Sequence, residues 1–327
     1  MERRRFLFSV VVIGACLVLG GASLIHAQET VRLSVATGGT GGVYYPLGGG
    51  MAKVLSKYLP KVDATAEVTA ASVDNILLLK TKKADLALVM ADVAYDGLKG
   101  TGQFKAHGPT PIRTVGVLYS NFMHFVTLEG KGINSVADLK GKRVSTGAPG
   151  SGTEVKSLRV LEAYGINPDK DIRRERLSVA ESAGALKDGK VDAFTWDGGL
   201  PTAAILDLAA TPGVKIKLLD HGDAVTKMVQ KYGPVYFPGV IPKATYPGMT
   251  SDVKVAAVAN LLISHQDMDR KIAYGVVKTI LEHQPDLVMV HKEAKNIMPQ
   301  TVGVGSSLPF HPGVEDYFKE KKIEMSK

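Results

Sequence analysis

A glycine-rich stretch near the start of the chain constrains the fold more than any other feature. Residues 36–51 read ATGGTGGVYYPLGGGM, and they follow an apolar alternation at residues 31–36 that predicts a β-strand. The apolar residues behind the glycines recur at helical spacing, so residues 38–43, which we call loop I, join a strand to a helix. Backbone N–H groups and the positive end of a helix dipole then point at one place, where an anion can bind without lysine or arginine.

Loop I can also be interpreted without a carboxylate ligand. Glycines between a strand and a helix also occur simply because the chain turns tightly there, with no ligand involved. The dinucleotide-binding fingerprint fits poorly, because Gly39-Thr40-Gly41 is followed by Tyr44 where the third glycine belongs. This mismatch argues against a nicotinamide or flavin enzyme, and we interpret loop I as half of a carboxylate-binding cleft.

The N-terminus has the features of a secretory signal. Three arginines at positions 3–5 precede an apolar run at residues 6–19, and Ala27 provides a small residue before a cleavage site. We therefore predict that residues 1–27 are a cleaved signal and that the mature protein is periplasmic. A retained anchor is the alternative, but the apolar run is shorter than the roughly 20 residues that a bilayer span needs. A lipoprotein box ending at Cys16 is disfavoured because the apolar sequence continues beyond it.

Cysteine usage and charge exclude several classes of function. Cys16 is the only cysteine and lies in the predicted signal, so a mature chain would have no disulfide, thiol chemistry or cysteine-based metal site. The whole chain carries a net charge of +8, of which three arginines and one glutamate in the signal contribute +2, leaving +6. These charges are scattered without interleaved aromatic residues, which indicates a solvated surface and not a nucleic-acid interface. We expect no metal and no cofactor.

Strands and helices alternate along the first third of the chain. A strand at residues 64–68, a helix from Ser72 and a buried strand at 86–90 predict a largely parallel sheet with helices on both faces. Asp92 follows the last of these strands, at the carboxyl end where ligands collect in such sheets. Asp92 can equally be the cap of the next helix.

The middle of the chain predicts a second lobe. Residues 114–119 and 122–127 read as two strands, the second of which would cross into the second lobe, and a strand at 255–264 would cross back. Residues 232–248 are rich in proline, glycine and tyrosine and predict an irregular segment. About 300 residues of mature chain are enough for two such lobes.

A second glycine-rich loop repeats the pattern of the first. Residues 146–154 read TGAPGSGTE and again lead from a strand through glycines into a helix, with Ser151 and Glu154 placed as a full capping box. A P-loop is excluded because Thr153 stands where Walker A needs a lysine. The N–H groups and hydroxyls of residues 147–153, which we call loop II, suit a small carboxylate. Those hydroxyls can instead serve only to cap the helix.

The two loops together indicate more than either one does. Each would lie at the edge of its own α/β lobe, so that two helix N-termini face each other across a gap and close around an anion. A third segment ends near the same place, because a strand at residues 191–196 leads into Asp197 and Gly198. Trp196, the only tryptophan, fits either a core position or the wall of the cleft.

With these segments in view, the chain resembles the TAXI family of solute receptors, the extracytoplasmic binding subunits of TRAP transporters. The matching segments follow one another in the family's order over nearly the whole mature chain. They are ATGGTGGVYYPL (36–47), AEVTAASVDN (66–75), ADLALVMADVAY (84–95), TGAPGSGT (146–153), DAFTWDGGLPT (192–202) and residues 235–247.

The resemblance implies a fold, a partner and a ligand class. The fold would be that of type II periplasmic binding proteins, with two α/β lobes joined by two hinge strands and a ligand cleft between them. We place lobe I at residues 28–121 and 258–327, and lobe II at 122–257. The partner would be a membrane permease driven by protons or sodium, and the ligand a glutamate-like amino acid or a dicarboxylate such as 2-oxoglutarate. We expect a monomer that binds its ligand without altering it.

The resemblance also implies the site residues. The more familiar branch of TRAP receptors uses a buried arginine for the substrate carboxylate, whereas loop I and loop II contain none, which agrees with a site built from helix ends. The predicted ligand-binding residues come from loop I and the start of its helix, from the end of the 86–90 strand, from loop II, and from the end of the 191–196 strand. They are Gly39, Thr40, Gly42, Val43, Tyr44, Asp92, Ser151, Gly152, Thr153, Trp196, Asp197 and Gly198.

An enzyme and a sensor subunit are the alternative functions. An enzyme with Ser151 as nucleophile is disfavoured because no complete Gly-x-Ser-x-Gly elbow surrounds that serine, and the histidines are scattered. A periplasmic sensor subunit that signals to a kinase would have an identical cleft, so the sequence leaves that alternative open.

Overall fold

The structure is a computed structural model that describes residues 30–326. The predicted signal at residues 1–27 lies outside the described residues. Within residues 30–326 no helix is both long and apolar enough to cross a membrane. The same residues contain no group of three or more histidine, cysteine, aspartate or glutamate side chains that could hold a metal ion.

The first part of the chain forms a parallel sheet covered by helices. This sheet has three strands, and the central one pairs in parallel with the strand on each side of it. The parallel pairing confirms the βαβ alternation predicted from the sequence. The elements are β1 (Val31–Ala36), α1 (Tyr44–Tyr58), β2 (Val62–Glu67), α2 (Ser72–Lys80), β3 (Leu86–Met90) and α3 (Ala91–Lys99). We use lobe I for the half of the molecule that contains β1, β2 and β3.

One long strand, β4 (Ile112–Leu128), leads out of lobe I. The prediction of two separate strands at 114–119 and 122–127 is wrong, because residues 120 and 121 continue the strand without a turn. Most residues of β4 are buried, and its first part pairs with the returning strand of lobe I while its second part pairs with strands of the other half. Pairing on both sides keeps the whole length of the strand extended.

The second half repeats the same architecture. A short parallel sheet again has helices in its connections, and its last strand pairs antiparallel with the second part of β4. The elements are β5 (Arg143–Ser145), α4 (Gly152–Ala163), β6 (Arg173–Glu175), α5 (Val179–Lys187), β7 (Ala193–Gly198), α6 (Ala203–Ala210), β8 (Ile216–Leu218), α7 (Ala224–Tyr232) and β9 (Tyr236–Ile241). We use lobe II for the half that contains β5, β6 and β7.

The segment predicted to be irregular at residues 232–248 contains a strand. Its residues Tyr236–Ile241 form β9, which pairs antiparallel with the long returning strand β10 (Val253–His265). Pro238 is tolerated there because β9 has β10 as its only strand partner in the described chain, and an edge strand can lack one donor. The strand depends on its pairing with β10, the next strand in the chain, and the proline and glycine within it conceal the strand pattern.

The chain ends with helices that return to lobe I. They are α8 (Arg270–Glu282), α9 (Gln284–Val290) and α10 (Pro312–Lys321). The prediction of a terminal helix on lobe I is confirmed, because Val314 and Phe318 of α10 are buried in the same apolar cluster as Leu33 of β1 and Leu47 of α1. Each fully buried side chain of this size contributes about 1.5–3 kcal/mol to folding.

The strand order shows that the two lobes are built alike. In lobe I the order is β2-β1-β3-β10-β4, and in lobe II it is β6-β5-β7-β4-β8. In each lobe an antiparallel strand from the long pair β4 and β10 lies beside three parallel strands. This two-lobed α/β fold with hinge strands is the predicted one. The predicted boundaries at 121/122 and 257/258 fall within β4 and β10, and they stay predictions.

Candidate functional site

A narrow cavity of about 80 Å³ lies between the two lobes. Lobe I contributes loop I, the start of α2 and the end of β3 to its wall, and lobe II contributes loop II, the start of α5 and the end of β7. These segments meet because the carboxyl ends of parallel strands open at the same edge of each sheet. The cavity therefore lies where the sequence predicts a cleft.

Ten of the twelve predicted site residues line this cavity. They are Gly39, Gly42, Val43, Tyr44, Ser151, Gly152, Thr153, Trp196, Asp197 and Gly198. Thr40 and Asp92 are absent from its wall. Thr40 is exposed at the outer turn of loop I, and Asp92 is buried behind the cavity in contacts between the lobes.

Four helices start at the cavity wall with free backbone donors. The N–H groups without an acceptor in the described part of the chain are those of Val43 and Tyr44 at α1, Ser72 at α2, Gly152 and Thr153 at α4, and Val179 at α5. Such groups at helix N-termini, together with the helix dipoles, favour a bound anion. The lining contains no lysine, arginine or histidine, so these backbone groups are the cavity's positive end.

The hydroxyls of loop II are already engaged. Ser151 Oγ donates to the carbonyl of Ala148 at 2.7 Å and accepts from the N–H of Glu154 at 3.1 Å, which makes Ser151 the N-cap of α4. Thr153 Oγ1 accepts from the N–H of Asp197 at 3.2 Å. The sequence left open whether these hydroxyls bind a ligand or only cap the helix. The Ser151 hydroxyl caps the helix, so the backbone of loop II is left to face a ligand.

The full capping box predicted for α4 is only half present. Ser151 caps the helix as expected, but the Glu154 carboxylate pairs with the guanidinium groups of Arg174 and Arg176 and does not return to the N-cap N–H. Arg174 lies in β6 and Arg176 directly follows it, and their charge attracts the carboxylate away from the backbone. The sequence spacing alone could not show this competition.

The two lobes contact each other directly at loop II. The carbonyl of Gly150 in lobe II accepts from the N–H groups of Val73 and Asp74 in lobe I, at 3.1 and 3.2 Å. Gly150 thus caps α2 across the gap, with φ at +80°, where glycine is favoured. These contacts join the lobes, so the structure shows the cleft in a closed arrangement.

Two glycines allow the lobes to approach so closely. A Cβ on Gly152 would lie 2.4 Å from Met90 Sδ and 2.8 Å from Ser72 Oγ, both of which belong to lobe I. A Cβ on Gly42 would lie 2.8 Å from the Trp196 ring of lobe II. At both positions any side chain would collide with the opposite lobe.

Trp196 forms part of the cavity wall. Its indole is half-buried, its Nε1 donates to Thr202 Oγ1 at 2.8 Å, and its ring packs against Gly42. Of the two positions that the sequence left open, the wall of the cleft is the one observed.

Asp92 joins the lobes from a buried position. Its Oδ2 accepts from the Tyr236 hydroxyl at 2.6 Å and lies 3.5 Å from the Arg159 guanidinium, which also pairs with Asp96. Arg159 belongs to α4 and Tyr236 to β9, whereas Asp92 and Asp96 belong to α3. Burial, followed by the charge of Asp92, raises the pKa of Tyr236 well above its usual value, so its hydroxyl stays a donor.

Asp197 pairs with a lysine that sequence reasoning missed. Lys156 Nζ lies 3.1 Å from each Asp197 carboxylate oxygen and donates to Oδ1, and both side chains are fully buried. Burial raises the pKa of Asp197 to about 6, against the opposing charge of Lys156. Lys156 lies four residues after Gly152, on the same face of α4, and this spacing is the one signal in the sequence that points to it.

Sequence reasoning also missed other lining residues. The segment before α2 contributes Thr69, Ala70 and Ala71, and α2 itself contributes Ser72. Ala71 has φ at +85°, a conformation that non-glycine residues rarely adopt. Tyr119 and Asn121 line the cavity from the middle of β4. An asparagine in this mostly buried strand is an available signal, since a buried amide needs partners.

Asn260 of β10 is the hydrogen-bond partner of Asn121, and the two belong to a network behind the cavity. Its Nδ2 donates to Asn121 Oδ1 at 2.6 Å, and its Oδ1 accepts from the Tyr44 hydroxyl. The network connects α1 to both hinge strands, and it holds Tyr44 at the cavity wall.

Comparisons with known proteins place the chain in context. A family model described as the NMT1-like family matches residues 35–321. The alkanesulfonate-binding protein SsuA from Xanthomonas axonopodis pv. citri, bound to MOPS, is 18% identical with a TM-score of 0.50, over 90% of this chain and 85% of that one. A protein from Bordetella bronchiseptica RB50 is 16% identical with a TM-score of 0.51, over 90% of this chain and 83% of that one. At these identities the likeness is one of fold.

Proposed function

The chain belongs to the NMT1-like family, and on that premise we propose that it is the extracytoplasmic solute-binding protein of a TRAP-type transporter of the TAXI group. It would capture a small carboxylate in the periplasm and deliver it to membrane permease subunits driven by protons or sodium. The ligand class we propose is a glutamate-like amino acid or a dicarboxylate such as 2-oxoglutarate.

One observation supports this proposal above the others: a cavity between two lobes whose positive end consists of helix N-termini and whose lining has no basic side chain. Charge-assisted hydrogen bonds contribute about 1.5–3 kcal/mol each. Three of them would supply most of the roughly −8 kcal/mol that corresponds to a micromolar Kd. A small acid can therefore be held by backbone groups alone.

The contacts between the lobes support binding by hinge closure. Gly150 caps α2 and Arg159 pairs with Asp92 only when the lobes meet. A carboxylate that bridges the N-termini of α1 and α4 adds affinity for this closed form and shifts the equilibrium towards it. The permease would then recognise the paired lobe surfaces of the closed form.

Binding without chemistry is part of the proposal. The serine that could act as a nucleophile, Ser151, has its hydroxyl engaged as the cap of α4. No described histidine lines the cavity to act as its base. We propose that the ligand leaves the cleft unchanged.

A thermal-shift panel tests the proposal. The purified protein would be heated with L-glutamate, 2-oxoglutarate, succinate and glutarate, and with an alkanesulfonate because SsuA of Xanthomonas is named for that ligand. A ligand at about 100 times its Kd adds roughly 2.7 kcal/mol of stability, which raises Tm by several degrees. Stabilisation by the alkanesulfonate and by none of the four carboxylates would contradict the proposed ligand class.

A further inference from the structure

Tyr119 occupies an unusual position in the middle of β4. It is only 4% exposed, and it lines both the ligand cavity and a second, larger cavity of about 1070 Å³. The second cavity is formed by α3, by residues 231–237 and by the segment that contains Glu293 and Ser307. Tyr119 is therefore part of the partition between the two cavities.

The hydroxyl of Tyr119 has no hydrogen-bond partner among the described residues. Three of the four other buried tyrosines have one. Tyr44 donates to Asn260, Tyr236 donates to Asp92, and the Tyr246 hydroxyl contacts His124 Nε2 at 2.9 Å and accepts from the N–H of Thr202 at 3.1 Å. Buried polar groups are nearly always paired, so an unpaired one in the wall of a binding cavity indicates a missing partner.

The tyrosine is held in place and stays protonated. A Cβ on Gly199 would lie 2.8 Å from the Tyr119 ring, which shows how closely the ring packs against lobe II. Burial, followed by the charge of neighbouring groups, raises the pKa of Tyr119 well above its usual value. Its hydroxyl is thus a fixed donor at neutral pH.

Asp197 lies in the same wall, but it already has a partner. Its Oδ2 lies 3.1 Å from Lys156 Nζ, although without hydrogen-bond geometry in the described chain. The unpaired side-chain donor that the closed cavity offers, in addition to the helix N-termini, is therefore the Tyr119 hydroxyl. An acid with an acceptor substituent can satisfy this donor, whereas a plain aliphatic diacid leaves it unpaired.

We propose that Tyr119 is a ligand-contacting, specificity-determining residue, which donates a hydrogen bond to the 2-oxo oxygen that distinguishes 2-oxoglutarate from glutarate. This assignment rests on the proposed function. One neutral hydrogen bond corresponds to about 2- to 12-fold in Kd. Wild-type protein therefore binds 2-oxoglutarate about tenfold more tightly than glutarate.

Calorimetric titration of wild type and of Tyr119→Phe with 2-oxoglutarate and with glutarate tests the assignment. The variant keeps the ring and removes only the hydroxyl, so the preference over glutarate should fall below about threefold. Its ligand-free Tm should be unchanged or higher, because an unpaired buried hydroxyl has been removed. Tyr246→Phe is the matched control: it removes a paired buried hydroxyl, and should lower the ligand-free Tm while leaving the preference at its wild-type value.

The results distinguish a failure of the Tyr119 assignment from a failure of the proposed function. A preference that Tyr119→Phe leaves at the wild-type value, or a wild type that binds glutarate at least as tightly as 2-oxoglutarate, overturns the role of Tyr119 while the proposed function stands. A ligand-free Tm lowered as much as in Tyr246→Phe shows that the hydroxyl is paired within the protein, and also overturns it. If no acid of the thermal-shift panel binds wild type, the proposed function fails and the assignment fails with it.

Discussion

Loop I and loop II look alike in sequence, but they use their glycines differently. In loop II, Gly147 and Gly150 have φ at +101° and +80°, which only glycine adopts readily, and Ser151 caps the following helix. In loop I no glycine has positive φ, and α1 starts at Tyr44 without a side-chain cap. Gly42 is thus needed for the space beside it and not for its backbone angle, whereas a Cβ on Gly39 would meet nothing within 4 Å.

This difference assigns the two loops separate tasks within the proposed function. Loop I, without a cap, leaves the N–H groups of Val43 and Tyr44 free for a ligand. Loop II uses its Ser151 hydroxyl for its own helix and its Gly150 carbonyl for α2 of the other lobe. We infer that loop I mainly binds, whereas loop II mainly holds the lobes together. Substitutions in the two loops test that division, from the largest expected effect to the smallest.

Gly152→Ala should have the largest effect on ligand affinity. The new Cβ would collide with Met90 Sδ and Ser72 Oγ of the opposite lobe, so it opposes closure without disturbing the open form. Overpacking of this kind costs about 1–3 kcal/mol, which corresponds to about 5- to 150-fold weaker binding by calorimetry.

A matched control for Gly152→Ala is Gly49→Ala in α1, where a new Cβ meets nothing within 4 Å. That variant should bind normally and gain about 0.5–1 kcal/mol of stability, because alanine is the better helix former. Wild-type affinity in Gly152→Ala would show that the lobes need not approach at loop II.

Gly42→Ala should have a smaller effect, of about tenfold or less. Its Cβ would meet the edge of the Trp196 ring at 2.8 Å, and this half-buried side chain can shift more easily than the buried Met90 and Ser72 beside Gly152. Trp196 is the only tryptophan, so its fluorescence reports this contact directly. Ligand should change the emission of wild type and change it less in Gly42→Ala. A flat wild-type titration, despite calorimetric binding, would mean that closure does not bring loop I against Trp196.

Ser151→Ala should leave ligand affinity nearly unchanged. Since the Ser151 hydroxyl caps α4, its loss should lower the free energy of unfolding by about 1 kcal/mol. Asp269→Ala, which removes the cap of α8, is the control for the stability loss alone. A tenfold or greater loss of affinity in Ser151→Ala, absent from Asp269→Ala, would contradict the division between the loops, because the hydroxyl would then contact the ligand.

The contrast between the loops also shows what the sequence can reveal about such a site. Both loops, the parallel strands before them and ten of the 23 lining residues follow from local patterns, because strand alternation, helical spacing and glycine act over a few residues. The short distance between Gly42 or Gly152 and the opposite lobe does not follow from those patterns. It depends on which side chains lie across the cleft.

The features that sequence reasoning missed depend on contacts outside the local pattern. Lys156 pairs with Asp197 and Arg159 with Asp92 across elements that are far apart in the chain. The strand β9 pairs with β10, the next strand in the chain. Tyr119 is notable because the folded chain buries its hydroxyl where no described residue pairs with it. Contacts of this kind are set by tertiary structure, which overrides local propensity.

A crystal structure of the protein grown with 2-oxoglutarate is the most direct test of the central claim. We predict a carboxylate within hydrogen-bond distance of the N–H groups of Val43 or Tyr44 and of Gly152 or Thr153, with no lysine or arginine side chain in contact with it. A ligand found in the larger cavity beyond Tyr119, or one held by a basic side chain, would contradict the account.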